Sequence, residues 1–216
     1  MKKWIALLAL AAAPVWAAEQ QLFNGKDLTG WARMPRHEGA PANEKPGFVV
    51  RDGQLVSVPD TPEDDLWYTA GKIGNATLRL VYKVSAPDAN SGVFIRIPVD
   101  PKSEDDAINK GIEVQIQDTG DDYHCTGVFY SMTTAMARPY KAAGEWNTLE
   151  IEMRGPRTVV RLNGVVVTDY DGAAAVPPKK GQYEPDRGPR PDTGYIAIQH
   201  HGGAPTLWFR EITLIR

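Results

Sequence analysis

Apolar and polar residues alternate with period two along most of the chain beyond residue 20. From Ala76 to Val84, Leu78, Leu80, Tyr82 and Val84 share one face, while Thr77, Arg79 and Lys83 take the other. From Trp146 to Arg154, Leu149, Ile151 and Met153 lie opposite Glu150 and Glu152. Antiparallel strands buried on one side read this way. Asp52-Gly53 and Asn163-Gly164 each join two such runs, and both dipeptides suit type I′ turns, whose two central residues need positive φ. About ten to twelve strands of this kind predict one all-β sandwich domain with antiparallel sheets. No segment sustains a helical period. Pro35 to Gly47, Pro98 to Lys110, Ser131 to Gly144 and Gly172 to Thr193 read as irregular. The last is long for a compact domain, and insertions of that length shape binding sites or move.

The first residues follow a different pattern. A basic Met1-Lys2-Lys3 precedes an apolar run from Trp4 to Val15, and Val15-Trp16-Ala17 places small residues where a signal peptidase cuts. Residues 1–17 are expected to be a secretory signal cleaved after Ala17, which leaves residues 18–216 as one domain in the periplasm or outside the cell. No later run approaches the length of a membrane helix, so no membrane insertion is expected after cleavage. Cys125 is the single cysteine, so no intramolecular disulfide can form and the residue is expected to be packed. With 24 Lys and Arg against 27 Asp and Glu the net charge is -3, which disfavours nucleic acid as a partner. Aromatic residues at 9% supply a core and exclude disorder.

Three strands carry polar groups beyond what a plain outer face needs. In Gly111 to Asp118, Ile112, Val114 and Ile116 point inward, so Glu113, Gln115 and Gln117 line the opposite face. In Asn90 to Ile97, Val93, Ile95 and Ile97 are assigned inward, with Phe94 and Arg96 outward. In Tyr195 to Gly202, Ile196 and Ile198 are core and Gln199 and His201 face out, whereas His200 is expected to be packed or hydrogen-bonded. On one sheet, this set would combine a carboxylate, a guanidinium, amides, an imidazole and a phenyl ring, an inventory suited to a sugar. Gly92 and Gly111 leave room above it. A solvated face with an Arg–Glu pair is the plain alternative. Metal-ligand spacings, the serine-hydrolase elbow and nucleotide-binding glycine patterns are absent from the sequence.

Leu22-Phe23-Asn24-Gly25-Lys26-Asp27-Leu28-Thr29-Gly30-Trp31 resembles the opening motif of a bacterial family of exported 3-keto-disaccharide hydrolases, or 3-keto-glucoside 1,2-lyase/hydratases. The resemblance runs on through Asn90-Ser91-Gly92 to Arg96, Gly111 to Asp118, Gly144-Glu145-Trp146-Asn147, Asn163-Gly164, Gln199 to Gly202 and Phe209-Arg210. It departs at Ile112, where an aromatic is frequent, and at Glu211, where Asn is. The resemblance implies a concanavalin A-like jelly roll and a 3-keto-glycoside substrate. It also implies a partner sugar 3-dehydrogenase acting upstream.

An ordinary glycosidase needs two flanking carboxyl groups. Gln115 and Gln117 cannot supply a second one beside Glu113, and Asp118 is out of phase. A ketone at C3 acidifies the C2 proton, so one base suffices for β-elimination of the C1 substituent, followed by hydration. The expected roles are Glu113 or His201 as base and Arg96 as clamp on the enolate. Gln115, Gln199, Phe94, Asn90, Asp118 and Arg210 are the expected substrate contacts. A divalent metal ion held by His201 and a carboxylate is the alternative electrophile. A non-catalytic lectin-like module and a conventional glycosidase using Asp118 or Glu145 are the competing functions.

Overall fold

The computed structural model describes residues 18–41, 43–179, 181 and 184–216; the expected signal at 1–17 lies outside the described residues. Two antiparallel sheets face one another. The larger holds β1 (Glu19–Gln21), β3 (Phe48–Arg51), β4 (Gln54–Ser57), β6 (Ala76–Val84), β9 (Asn147–Arg154), β10 (Arg157–Leu162), β11 (Val165–Tyr170) and β13 (Leu207–Ile215). Its order is β11-β10-β9-β6-β13-β4-β3, with β1 beside the end of β13. The smaller sheet runs β2 (Trp31–Met34), β5 (Asp65–Tyr68), β12 (Tyr195–Ile198), β7 (Ser91–Ile97) and β8 (Ile112–Ile116). The architecture is the expected all-β jelly-roll sandwich.

The alternating faces pack as their sequence demands. Leu78, Leu80 and Tyr82 from β6 and Leu149, Ile151 and Met153 from β9 meet Val93, Ile95, Val114, Ile116, Ile196 and Ile198 across the interface. Both hairpin dipeptides have positive φ at each central residue, at Asp52 and Gly53 and at Asn163 and Gly164. Cys125 is buried in the same core. The opening motif is a structural turn: Asn24 Oδ1 accepts from the backbone N–H groups of Lys26 and Asp27, and Trp31 Nε1 donates to Leu22 O at 2.8 Å.

Two features depart from the sequence reading. Within Pro98 to Lys110 lies a helix, α1 (Glu104–Lys110), with Glu104, Asp105 and Asp106 in its first turn and Lys110 in its last, charges placed to suit the helix dipole. It lays Ala107 and Ile108 on the outer face of the smaller sheet, against Met34, Phe94 and Ala197. The second feature is a bulge in β7. Tyr195 pairs with Ile97 and Ala197 with Phe94, so Ile95 and Arg96 together oppose Ile196, and Arg96 takes φ +58°. The extra residue changes the phase of the strand. Ile97 therefore joins Phe94 on the outer face instead of the core between the sheets.

Arg96 is turned away as well. Its guanidinium donates to Thr158 Oγ1 at 3.0 Å, Gly155 O at 2.8 Å and Pro191 O at 3.1 Å, and the residue is 2% exposed. It ties β7 to the β9–β10 turn and is unavailable to a ligand. Replacing Arg96 by Met strands several buried acceptors and is expected to cost about 3 kcal/mol of stability, read from urea unfolding midpoints.

Candidate active site

Three rows of outward positions cross β12, β7 and β8. Ala197, Phe94 and Glu113 form one row, and Gln199, Gly92 and Gln115 the next, because Ala197 pairs with Phe94, Phe94 with Glu113 and Gly92 with Gln115. Gln199 joins its row through its N–H to Gly92 O at 2.9 Å. His201 and Asn90 continue the pattern beyond. Helix α1 covers the first row. Phe94, 0% exposed, is therefore packing beneath the helix and cannot serve as a sugar platform.

The remaining rows open into a cavity of about 120 Å³ lined by Asn90, Ile108, Glu113, Gln115, Tyr130, Pro185, Gln199 and His201. Gly92 is its floor. A β-carbon there would collide with the Glu113 carboxyl group, so the missing side chain lets that group lean over β7. Gly92→Ala should displace the carboxyl group and lower any turnover that depends on it by about 10–100-fold with the fold retained, as steady-state kinetics would register.

Gln115 holds the carboxylate from the other side. With its NH2 directed at Glu113, it donates to Oε1 at 3.0 Å and to Ser91 O at 3.2 Å. Its other terminal atom faces the amides of Asn90 at 3.1 Å and Gln117 at 3.3 Å. This orientation belongs to the ionised form of Glu113, to which it supplies a donor; the protonated acid donates to the amide oxygen in the opposite orientation. Ser91 Oγ donates to Gln199 O at 2.8 Å and fixes the strand beneath Gln199. The Gln199 side-chain oxygen is buried without a partner.

Burial pushes the Glu113 pKa up to about 8, and the neighbouring Glu104 charge acts in the same direction. Glu104 sits 4% exposed at the start of α1, its own pKa raised to about 7 by burial. Asp65 on β5 is fully buried, accepts from His200 N–H at 2.8 Å and is raised well above the usual carboxylate range by burial and by Glu104. Glu104 and Asp65 do not line the cavity. Among the described residues Glu113 is its one carboxylate.

Tyr130 completes the wall. Its N–H donates to Glu113 O at 3.0 Å, and its ring lies 4.7 Å from that of His124. Burial, then the Glu113 charge, raises its hydroxyl pKa. Behind it, His124 Nδ1 is 2.7 Å from Asp121 Oδ1 and Nε2 is 3.0 Å from Ser131 Oγ. This row imitates a hydrolase triad but lacks its surroundings. Ser131 is 2% exposed, and the N–H groups of Ser131 and Met132 are already spent on Tyr123 O and Phe129 O. With neither access nor an oxyanion hole, the row buttresses Tyr130.

Other expected contacts lie elsewhere. Asp118 accepts from Thr126 Oγ1 at 2.7 Å, is buried and faces Tyr82 between the sheets, which removes it both as a ligand contact and as a second carboxylate. Glu145 is in an exposed turn before β9 and lines no part of the cavity. Arg210 belongs to the larger sheet, over the ring of Trp146 at 4.5 Å; Glu211 bonds Arg79 instead. His200 is packed, 3% exposed, with Nε2 3.0 Å from Val58 O. His201 is exposed at the cavity mouth. Among the described residues no three His, Cys, Asp or Glu side chains are grouped to hold a metal ion, so no ready ligand set accompanies His201. Sequence reasoning missed Tyr130, Glu104 and Asp65.

Residues 18–215 match the family model described as a 3-keto-alpha-glucoside-1,2-lyase-like domain. A crystal structure from Parabacteroides distasonis, named there as a candidate glycosyl hydrolase, is 26% identical and superposes with a TM-score of 0.67, covering 91% of this chain and 98% of that one. A second from the same organism is 22% identical with a TM-score of 0.68, over 91% and 93%. The carbohydrate-binding module CBM66 from Bacillus subtilis is 13% identical with a TM-score of 0.55, over 87% and 96%. The last two likenesses concern the fold alone. No curated protein matches the chain.

Proposed function

The chain belongs to the family of 3-keto-α-glucoside-1,2-lyase-like domains, and from that premise we propose that its cavity cleaves 3-keto-glycosides by elimination and hydration. The observation that carries the reading is the solitary carboxylate. Among the described residues Glu113 is the only acidic group lining the cavity, and burial raises it to about 8. A two-carboxylate glycosidase mechanism has no second partner there. A carbon acid beside a ketone needs one base, and a base of raised pKa accepts such a proton more readily than an ordinary carboxylate.

Glu113 removes the C2 proton. The electron pair moves into the C1–C2 bond, the C1–O bond breaks, and the alcohol leaves with a proton delivered by Tyr130, His201 or water. Enolate character at the C3 oxygen is met by hydrogen-bond donors at the rim, the Gln199 and Asn90 amides and the Tyr130 hydroxyl. These take over the role expected of Arg96. Water then adds across C1=C2: its hydroxyl goes to C1, its remaining proton restores the group that protonated the alcohol, and Glu113 returns a proton to C2. The net change is hydrolysis. The substrate's ketone must be installed by oxidation at C3, which places a dehydrogenase-type reaction upstream.

The test uses 3-keto-trehalose carrying deuterium at C2. The proposal expects a primary isotope effect and an enone-type ultraviolet absorbance from the released 3-keto-2-hydroxy-glucal. Glucose release without an isotope effect would point to direct hydrolysis, and ligand retention without turnover to a binding module. Export is proposed on the N-terminal pattern alone. Intact-mass measurement of protein secreted by a bacterial host should return a chain starting at Ala18; a chain retaining Met1 would refute it.

A further inference from the structure

The outer face of the larger sheet carries two indoles set around a cation. Lys83 pairs with Trp208 across β6 and β13, and its ammonium group lies 4.9 Å from the ring centres of both Trp208 and Trp146. These contacts hold the rings in place on a face turned towards water. Trp208 is half-buried and walls a cavity of about 300 Å³, far from the catalytic sheet. Val56, paired with Trp208, forms the floor, and the β3–β4 hairpin supplies Arg51, Asp52 and Gln54 at the rim. Among the described residues, none of these three side chains has a hydrogen bond or ion pair with the rest of the protein.

We propose that this cavity is a second carbohydrate site, which holds one pyranose ring of a neutral glycan while the other sheet performs catalysis. The chemistry of the wall selects the ligand. An indole face takes the C–H surface of a pyranose, and a guanidinium, a carboxylate and an amide at one edge match pairs of vicinal hydroxyls. The size lies at the lower end of small-molecule sites. The adjacent Arg51 and Asp52 balance each other's charge, which favours a neutral sugar over a uronate or sulfated one. Catalysis does not depend on this site, nor the site on the catalytic reading.

Native gel electrophoresis through amylose, β-glucan, xyloglucan or dextran tests it. Migration of the natural protein should be slowed by at least one of the four, and equally so for Glu113→Gln. Trp208→Ala should weaken retardation by about tenfold and Gln54→Ala by about fivefold, the loss expected for an aromatic anchor and for one hydrogen bond. Turnover of 3-keto-trehalose should stay within about twofold for Trp208→Ala, since small substrates bypass the site. Should Trp208→Ala not fold, Gln54→Ala and Arg51→Ala on the exposed hairpin carry the same expectation. Unchanged mobility in all four glycans, or retardation that the Trp208 and Gln54 variants leave intact, would overturn the proposal.

Discussion

Glu113→Gln lowers turnover of a 3-keto-glycoside by about 10³-fold while leaving KM within a small factor, if the elimination has one base. The substitution preserves shape and the contact with Gln115 but cannot accept the C2 proton. Because Glu113 titrates near 8, kcat/KM of the natural enzyme should climb with pH and level off above that value, as the carboxylate becomes available. The residual rate of the Gln variant should lack that limb. A structural role would behave differently: it would reduce stability and activity together. The variant should instead be more stable than the parent at pH 8, since it no longer has a charge to bury. A variant with more than a tenth of parental activity would move the base elsewhere, with His201 and Tyr130 next to be examined.

Much of this site is visible in the alternation alone. Positions 90, 92 and 199, 201, with 113 and 115, fall on one face because strand side chains alternate, and pairing then needs only neighbouring strands. What alternation cannot convey is an inserted residue. The bulge at Ile95 and Arg96 reverses the phase of everything after it, so Arg96 and Ile97 were assigned to the wrong sides. No residue type in Phe94-Ile95-Arg96-Ile97 announces a bulge; Arg at positive φ is unusual and is held there by bonds to a distant turn. Helix α1 escaped because two turns are too short for a periodic signal, although Ser103 followed by three acids and Lys110-Gly111 marks both ends. Missing the helix led directly to the misplaced Phe94, which has no aromatic partner role once covered. Tyr130 sits in an irregular segment whose return to β8 is made by isolated backbone bonds from residues 127–130, a pairing too short to leave an alternating pattern. The family resemblance covers the strands that line the cavity, yet its opening motif is a turn and its Arg210 lies on the opposite sheet.

The buried acids carry a second large consequence, for stability. Glu104 and Glu113 are raised from 4.5 to about 7 and about 8 by burial. Between roughly pH 5 and 8 the folded protein therefore retains protons that the unfolded chain has released, and unfolding free energy must fall as pH rises through that window. Asp65, raised by the same cause, adds to the slope. At 1.36 kcal/mol for each pKa unit, and discounted because Glu113 is part-exposed, the loss is on the order of 5 kcal/mol from pH 5 to 9. His200 acts oppositely: burial lowers its pKa below 6.5, so acidification below that value favours the unfolded chain. Maximum stability is accordingly expected on the mildly acidic side, the reverse of a protein whose acids are paired. Urea unfolding at intervals between pH 5 and 9 measures the slope, and the Glu104→Gln, Glu113→Gln double variant should flatten most of it. A parent whose stability rises across this range, or a double variant with an unchanged slope, would refute the buried-acid account. Glu104→Gln alone separates the two effects, because removing the Glu104 charge lowers the Glu113 pKa and should carry the rising limb of kcat/KM to lower pH. The cost in stability at neutral pH is thus the same desolvation that makes Glu113 a stronger base.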